Sequence, residues 1–304
     1  MEITANLRKR FVKDYKLPIK IYDEPYFSYQ LNLYDDYYNC VEKYEAFKLE
    51  LNAFNNEEDY FAYYRSIKEK MMYYIKNSTG YTIFNSPDHY NDIKKNEVNI
   101  TNLPTSDIYK DSNIGKTFLS IDMIKANFNT LRYFNPEMFN YKDTWEDFCR
   151  MFTDSEYIIN SKYIREVIFG NCNPKRQIQY EKYLMSSLLP ELPIDKIVFF
   201  SNDEIVLDIT NMTNIDDIKE KLRYFVVPLR LETFTLNKVL FNNNIIGYIK
   251  NLEDNSIQIK KVNPLYMPII VKKLKNKPLQ EEDLVFEHEN ILCKLLSYPT
   301  IYIE

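Results

Sequence analysis

Apolar residues recur at two spacings along this chain, and the change from one to the other divides it. Between 35 and 77 the period is helical, predicting helices over 35–53 and 57–77. In the second of these, Tyr60, Tyr63, Tyr64, Ile67, Met71, Met72 and Ile75 return every three or four residues, a stripe that reads as a packing face. Residues 1–30 read as extended or irregular, because Pro18 and Pro25 interrupt any helix. Residues 80–115 are polar and carry Pro87 and Pro104, which predicts a long loop. A short apolar strand then ends at Asp122 and a helical pattern follows it. Helices are predicted over 144–153 and 156–169, the latter closed by Gly170, and another starts at Pro174, where proline suits a first turn.

The second half changes period. Ile197–Ile209 reads as two apolar strands joined by a tight turn at Ser201-Asn202-Asp203-Glu204. A helix is predicted over 215–223, strands around 225–235, 245–251 and 256–262, and a short closing helix over 287–297. The fold class is therefore α+β, an antiparallel sheet with packed helices preceded by a helical N-terminal region. Three regions follow: a helical one over 1–115, a sheet domain over 116–263 and a basic segment over 264–304.

Composition narrows the chemistry by exclusion. The only glycines are Gly80, Gly115, Gly170 and Gly247, each isolated, so no glycine-rich loop exists to bring backbone N–H groups onto a phosphate. His89 and His288 are the only histidines, too few for a multi-histidine zinc site. Cys40, Cys149, Cys172 and Cys293 lack metal or disulfide spacing, which suits a reducing compartment. The formal net charge of −5 supplies no global attraction for polyanions, although Lys260, Lys261, Lys272, Lys273, Lys275 and Lys277 form a local basic cluster. No apolar run is long enough for a membrane span, and the chain reads as a soluble cytoplasmic protein, of the host cytoplasm if viral. What remains in quantity is carboxylate, and carboxylates suit Mg2+ or Mn2+.

Two acidic positions stand out. Phe118-Leu119-Ser120-Ile121-Asp122 delivers a carboxylate at a strand end, and Asp203-Glu204 occupies a hairpin turn between apolar strands, where Asn-Gly or Asp-Gly is the ordinary choice. Each has a bland reading: Asp122 as the cap of the next helix, and Asp203-Glu204 as a solvated turn. Carried to a common sheet edge, they would hold two divalent cations roughly 3.5–4 Å apart for in-line phosphoryl displacement.

The pattern resembles the palm domain of nucleic-acid polymerases and related nucleotidyltransferases. SIDMIKANF is similar to the first acidic motif and FFSNDEIVLDI to the second. The second is also similar to the His-Asp-Glu hairpin of family A polymerases, with Asn202 in place of the histidine. It is similar as well to the Ser-Asp-Glu hairpin of 3′-to-5′ tRNA guanylyltransferases. Downstream, Leu231-Glu232-Thr233-Phe234 and the Tyr248-to-Lys250 strand resemble the segment that follows the second motif in family B palms. The resemblance spans about residues 116–275.

It implies Asp122, Asp203 and Glu204 as metal-binding and catalytic residues, with Lys162, Arg165, Lys175 and Arg176 gripping an incoming triphosphate. Asn127 and Phe128 would lie near the sugar. Nucleic acid and a nucleoside triphosphate are the implied partners, and Mg2+ or Mn2+ the cofactor. The short interval between the motifs leaves little room for a full fingers domain and points to a minimal or accessory palm. Two alternatives use the same residues differently: a catalytically inactive, viral binding or assembly protein with a protein partner, and a metal-dependent nuclease.

Overall fold

In the computed structural model, which describes residues 1–88, 91, 102–289 and 291–304 of the chain, helices precede a single large antiparallel sheet. Its strands are β1 (Thr117–Met123), β2 (Ile197–Phe200), β3 (Glu204–Asp208), β4 (Leu229–Phe241), β5 (Asn244–Leu252) and β6 (Ile257–Lys260). A two-stranded hairpin of β7 (Val285–His288) and β8 (Ile291–Lys294) follows. A last strand, β9 (Ile301–Ile303), returns to pair with β4. The order across the large sheet is β2-β3-β1-β4-β5-β6.

Every pairing in that sheet is antiparallel, so β1 and β2 run one way while β3 and β4 run the other. The connections from β1 to β2 and from β3 to β4 both pass through helices. Residues 117–241 thus trace β-α-β-β-α-β in the interleaved order of a split βαβ unit. This order makes β1 a central strand, flanked by β3 and β4. Asp122 consequently lies between Glu204 on one side and Arg230 on the other, register partners in the two ladders.

Strand alternation sorts the two faces. Leu119, Ile121, Ile205 and Leu207 point to one side, where Leu184, Met185, Ile218 and Leu222 of two helices cover them. Phe118, Val206, Phe234 and Leu236 point to the other, beneath Ile108, Tyr109 and Ile114. The β4–β5 turn is Asn242-Asn243, both with positive φ (48° and 63°), the conformation that a two-residue hairpin with right-handed strand twist requires.

The N-terminal helices are more extensive than the prolines suggest. Ala5–Tyr15 is helical, capped by Thr4, whose side chain accepts from Leu7 N–H, and Leu7, Phe11 and Val12 are buried along it. Pro18 falls after this helix and Pro25 immediately before the next, Tyr26–Leu33, so neither breaks one. The predicted 35–53 helix is divided by Asn39, whose φ is 48°, into Asp35–Tyr38 and Cys40–Leu51. Glu57–Lys76 matches its prediction, and its stripe is core: Tyr60, Tyr64, Ile67, Met71 and Ile75 are all buried.

Within the predicted 80–115 loop, Thr79–Asn85 is helical. Residues 89, 90 and 92–101, His89 among them, lie outside the described residues. The predicted 287–297 helix is instead the β7–β8 hairpin, with Glu289 at φ 52°, a value incompatible with a continuing helix.

One apolar cluster joins the N-terminal helices to those between β1 and β2. Phe11, Phe47 and Tyr60 share it with Phe128, Trp145, Phe148 and Phe169, and Met267 and Val271 of the helix Met267–Leu274 complete it. Trp145 is a fully buried core residue.

Candidate functional site

Five separated segments meet at the end of the sheet where β1 stops. They line a cavity of about 460 Å³. Asp122 and Asp203 enter it from β1 and from the β2–β3 turn, Asn127 from the start of the helix Ala126–Phe134, and Lys162 and Arg165 from the helix Lys162–Gly170. Lys125, Glu166, Glu181 and Arg230 complete its charged lining.

Local structure accounts for each placement. The backbone of the two acidic motifs is joined directly, Met123 N–H donating to Asp203 O at 2.9 Å. The turn is wound around Ser201, whose Oγ accepts from Glu204 N–H at 2.9 Å and donates to Asp203 Oδ1 at 2.9 Å. Asp122 caps no helix: the helix after it begins beyond Lys125, a residue in the left-handed region at φ 46°, and has no side-chain cap. The cation-bearing helix is capped by Ser161, which accepts from Ile164 N–H and donates to Asp14 Oδ1 at 2.8 Å. Asp14, wholly buried, also receives Tyr64 Oη at Oδ1 and Tyr157 Oη at Oδ2, both at 2.7 Å. The N-terminal helix thereby fixes the position of Lys162 and Arg165.

The sequence-derived residues do not all converge. Glu204 does not line the cavity: it stands across the ladder from Asp122, near enough for its charge to act on that carboxyl, and its carboxylate accepts Ser120 Oγ at 2.5 Å. Phe128 is fully buried against Phe139 and Trp145, away from the cavity, because its helix turns that face into the core. Arg176 is spent on Phe84 O and Ser86 O, at 2.7 and 3.1 Å, and Lys175 is exposed outside the cavity. Of the lysine cluster, Lys261 pairs with Asp107, Lys272 turns inward to Asp283 and Gln280, and Lys275 binds Asp36 and Leu33 O. Three of its six members are thus committed to separate partners rather than to one basic strip.

Four charged lining residues, Lys125, Glu166, Glu181 and Arg230, escape the sequence reading, and two of them contact the acidic motifs directly. Glu181, on the helix Pro174–Ser187, is almost fully buried and accepts from Asn202 of the acidic turn. Burial, with Asp203 nearby, pushes its carboxyl up to about 7 against the opposing pull of that hydrogen bond. A carboxylate at the four-residue spacing of Gln177, Glu181 and Met185, all buried, was the available signal. Arg230, the second, contacts Asp122 Oδ2 through Nη2 at 2.7 Å and Glu232 Oε1 through Nε at 3.5 Å. Glu232 in turn binds Lys250 at 2.6 Å, tying together the two segments that resemble the end of a family B palm.

The electrostatics are uneven. Burial raises the Asp122 carboxyl to about 6; Arg230 opposes the rise, while the negative charges of Glu204 and Asp203 add to it. Of the lining cations, Lys125 pairs with Glu146 and Lys162 approaches Glu166 at 4.0 Å. Arg165 has no ion pair among the described residues, and its Nε is buried with no hydrogen-bond partner. Burial holds its guanidinium below the ordinary range, with Glu166 and Glu146 offsetting part of the effect. A half-buried cation with unused donors is a ready receptor for an anion.

The donors suit a hard divalent cation in kind. Asp122 and Asp203 are carboxylates at one cavity wall, and their mutual repulsion is the condition a cation relieves. They are not gathered into a cage: among the described residues no group of three or more His, Cys, Asp or Glu side chains stands where it could hold a metal ion. Among the same residues, no helix is long and apolar enough to cross a membrane.

Fold and site together define an α+β protein whose split βαβ sheet carries a cavity lined by both carboxylates and cations. No protein-family profile, curated protein or solved structure matches the chain.

Proposed function

We propose that this chain is a palm-type nucleotidyltransferase acting on a nucleic-acid substrate, with its reaction centre in the cavity between β1 and the helix Lys162–Gly170. One observation carries the reading: Asp122, Asp203, Asn127, Lys162 and Arg165, each singled out by the motif pattern, line the same cavity of about 460 Å³ although they come from three separate stretches of chain. The interleaved β-α-β-β-α-β order, which sets the first acidic strand beside the acidic hairpin, supports it.

In this reading Arg165 and Lys162 hold the phosphates of an incoming nucleotide, and Arg165 contributes most because it gives up no existing partner. Asn127, which also lines the cavity, faces the sugar. Asp122 and Asp203 would hold Mg2+ or Mn2+, which when bound supplies neutralisation of the charge that develops on the transferred phosphate. Partial burial of Asp122 and Arg165 limits the screening of their charges by bulk water.

The test is incorporation of labelled nucleotide with Mg2+ or Mn2+. Wild-type protein should extend at least one class of primer, and Asp203→Ala should abolish extension while retaining the native circular dichroism. A wild-type protein that incorporates nothing across varied primers and templates sinks the proposal. Nicking of plasmid DNA that is lost in Asp122→Asn would replace synthesis with hydrolysis at the same site.

A second reading, a binding or assembly protein that keeps the fold without catalysis, draws on the Asp122–Arg230 ion pair, which already satisfies the first acidic residue. A stoichiometric protein partner, together with no calorimetric response to Mg2+, would favour it.

A further inference from the structure

We propose that Arg230 is the resident counter-cation of Asp122 and releases that carboxylate to a divalent cation when a phosphate enters the cavity, so that cation and phosphate bind interdependently. The inference rests on the palm-type reading and adds a residue and a coupling that the motif pattern does not contain.

Three observations carry it. The first is position: Arg230 and Asp122 are register partners on adjacent strands, and Nη2 lies 2.7 Å from Oδ2, where a cation bound to that carboxylate would compete with it. The second is freedom. The Arg230 side chain is 58% exposed against 23% for Asp122, so the guanidinium can turn while the carboxylate stays. Glu232, 3.5 Å from Nε, provides a second partner, and Glu232 is itself held by the buried Lys250, so the released arginine is not left unpaired.

The third is destination. Arg230 lines the same cavity as Arg165 and Lys162, the two cations assigned to the phosphates. A guanidinium fork binds a phosphate through two parallel N–H donors, a geometry a single carboxylate contact leaves partly unused. Phosphate and divalent cation therefore pull in the same direction. The phosphate draws Arg230 away, the cation takes the exposed carboxylate, and each makes the other's binding more favourable.

Two titrations test this, following Mn2+ by electron paramagnetic resonance, with sulfate as a tetrahedral dianion that does not sequester the metal strongly. Arg230→Gln should bind Mn2+ on the order of tenfold more tightly than wild type, a coupling in the ordinary range for linked sites. Adding Asp122→Asn should remove the gain. Sulfate should tighten Mn2+ binding to wild type and leave that of Arg230→Gln unchanged, and Arg230→Lys, which keeps the charge, should restore weak binding.

Equal or weaker Mn2+ affinity in Arg230→Gln overturns the inference, as does a gain that survives Asp122→Asn. Absence of Mn2+ binding in wild type and variant alike overturns it too. If nucleotide incorporation nevertheless proceeds, the palm reading outlives the inference. If neither metal binding nor incorporation is found, both fall.

Discussion

Ser161 Oγ donates to Asp14 Oδ1 at 2.8 Å across 147 residues of chain, and this bond places the cation wall of the cavity under the control of the first helix. Asp14 has no exposed surface and takes three hydroxyl donors, with Arg10 at 4.0 Å as its cationic neighbour. Burial raises its carboxyl, and the hydroxyls and Arg10 pull it back. Removing Asp14 leaves those hydroxyls without their shared acceptor and Arg10 without its neighbouring counter-charge. Asp14→Ala should cost about 3 kcal/mol. Urea denaturation checks it through a lower midpoint at an unchanged slope.

Glu181 gives the fold a pH dependence of known sign. Its carboxyl rises from 4.5 to about 7 on folding, so the folded chain holds that proton more tightly than the unfolded one. Its contribution to stability is therefore greatest below about 4.5, falls as pH rises toward about 7, and is flat above that. Glu181→Gln keeps an acceptor for Asn202 and abolishes the dependence. At pH 8 the variant should be more stable than wild type by up to roughly 3 kcal/mol. Melting temperatures for both proteins between pH 5 and pH 8 provide the check, and parallel curves would contradict it.

Arg165 separates binding from stability. With no ion pair to lose, Arg165→Met should change stability by no more than about 1 kcal/mol, since the aliphatic stem is retained and a desolvated charge removed. Nucleotide affinity should fall at least about tenfold, the equivalent of one charge-assisted hydrogen bond. Lys175→Ala, an exposed position outside the cavity, should leave affinity unchanged. Fluorescence titration with a labelled nucleotide compares the two.

Gly247 is required by close approach rather than by its dihedral angles. A Cβ there would stand 2.2 Å from Val262 Cγ2 and 3.3 Å from Lys260 O, where the chain leaving β6 crosses β5. Gly247→Ala should destabilise the protein by about 2 kcal/mol through overpacking. Gly247→Ala combined with Val262→Ala should recover most of the loss in a double-mutant cycle.

The parts of the site legible in the sequence were those carried by strands. An apolar run that ends in Asp122, and a turn with Asp203-Glu204 where a hairpin ordinarily takes glycine, announce themselves because alternation and turn chemistry are local. Lys162 and Arg165 were visible for the same reason, three apart on one helix.

Lys175, Arg176 and Phe128 read equally well locally, yet packing sends them elsewhere, and no local pattern distinguishes a cation that faces a cavity from one that holds a loop carbonyl. Arg230 becomes meaningful only through the β1–β4 register, which pairs residues 108 apart in sequence. Pro18 and Pro25 suggested an extended or irregular chain where they mark the borders of helices. The segment around Glu289 carries helix-forming residues, but tertiary pairing of Val285 with Lys294 and Phe286 with Cys293 prevails.

The aromatic cluster that spans both halves has a consequence for any attempt to shorten the chain. Phe47 meets Tyr157 at 4.8 Å between ring centroids, Tyr74 meets Phe148 at 5.8 Å, and Phe84 meets Tyr180 at 5.1 Å, each pair bridging residue 116. Excising the strands as an autonomous module would strip one partner from every such pair and leave a wide greasy surface on the helices that remain. The sheet and its acidic edge are better regarded as one storey of a building whose supporting walls stand in the first eighty-odd residues.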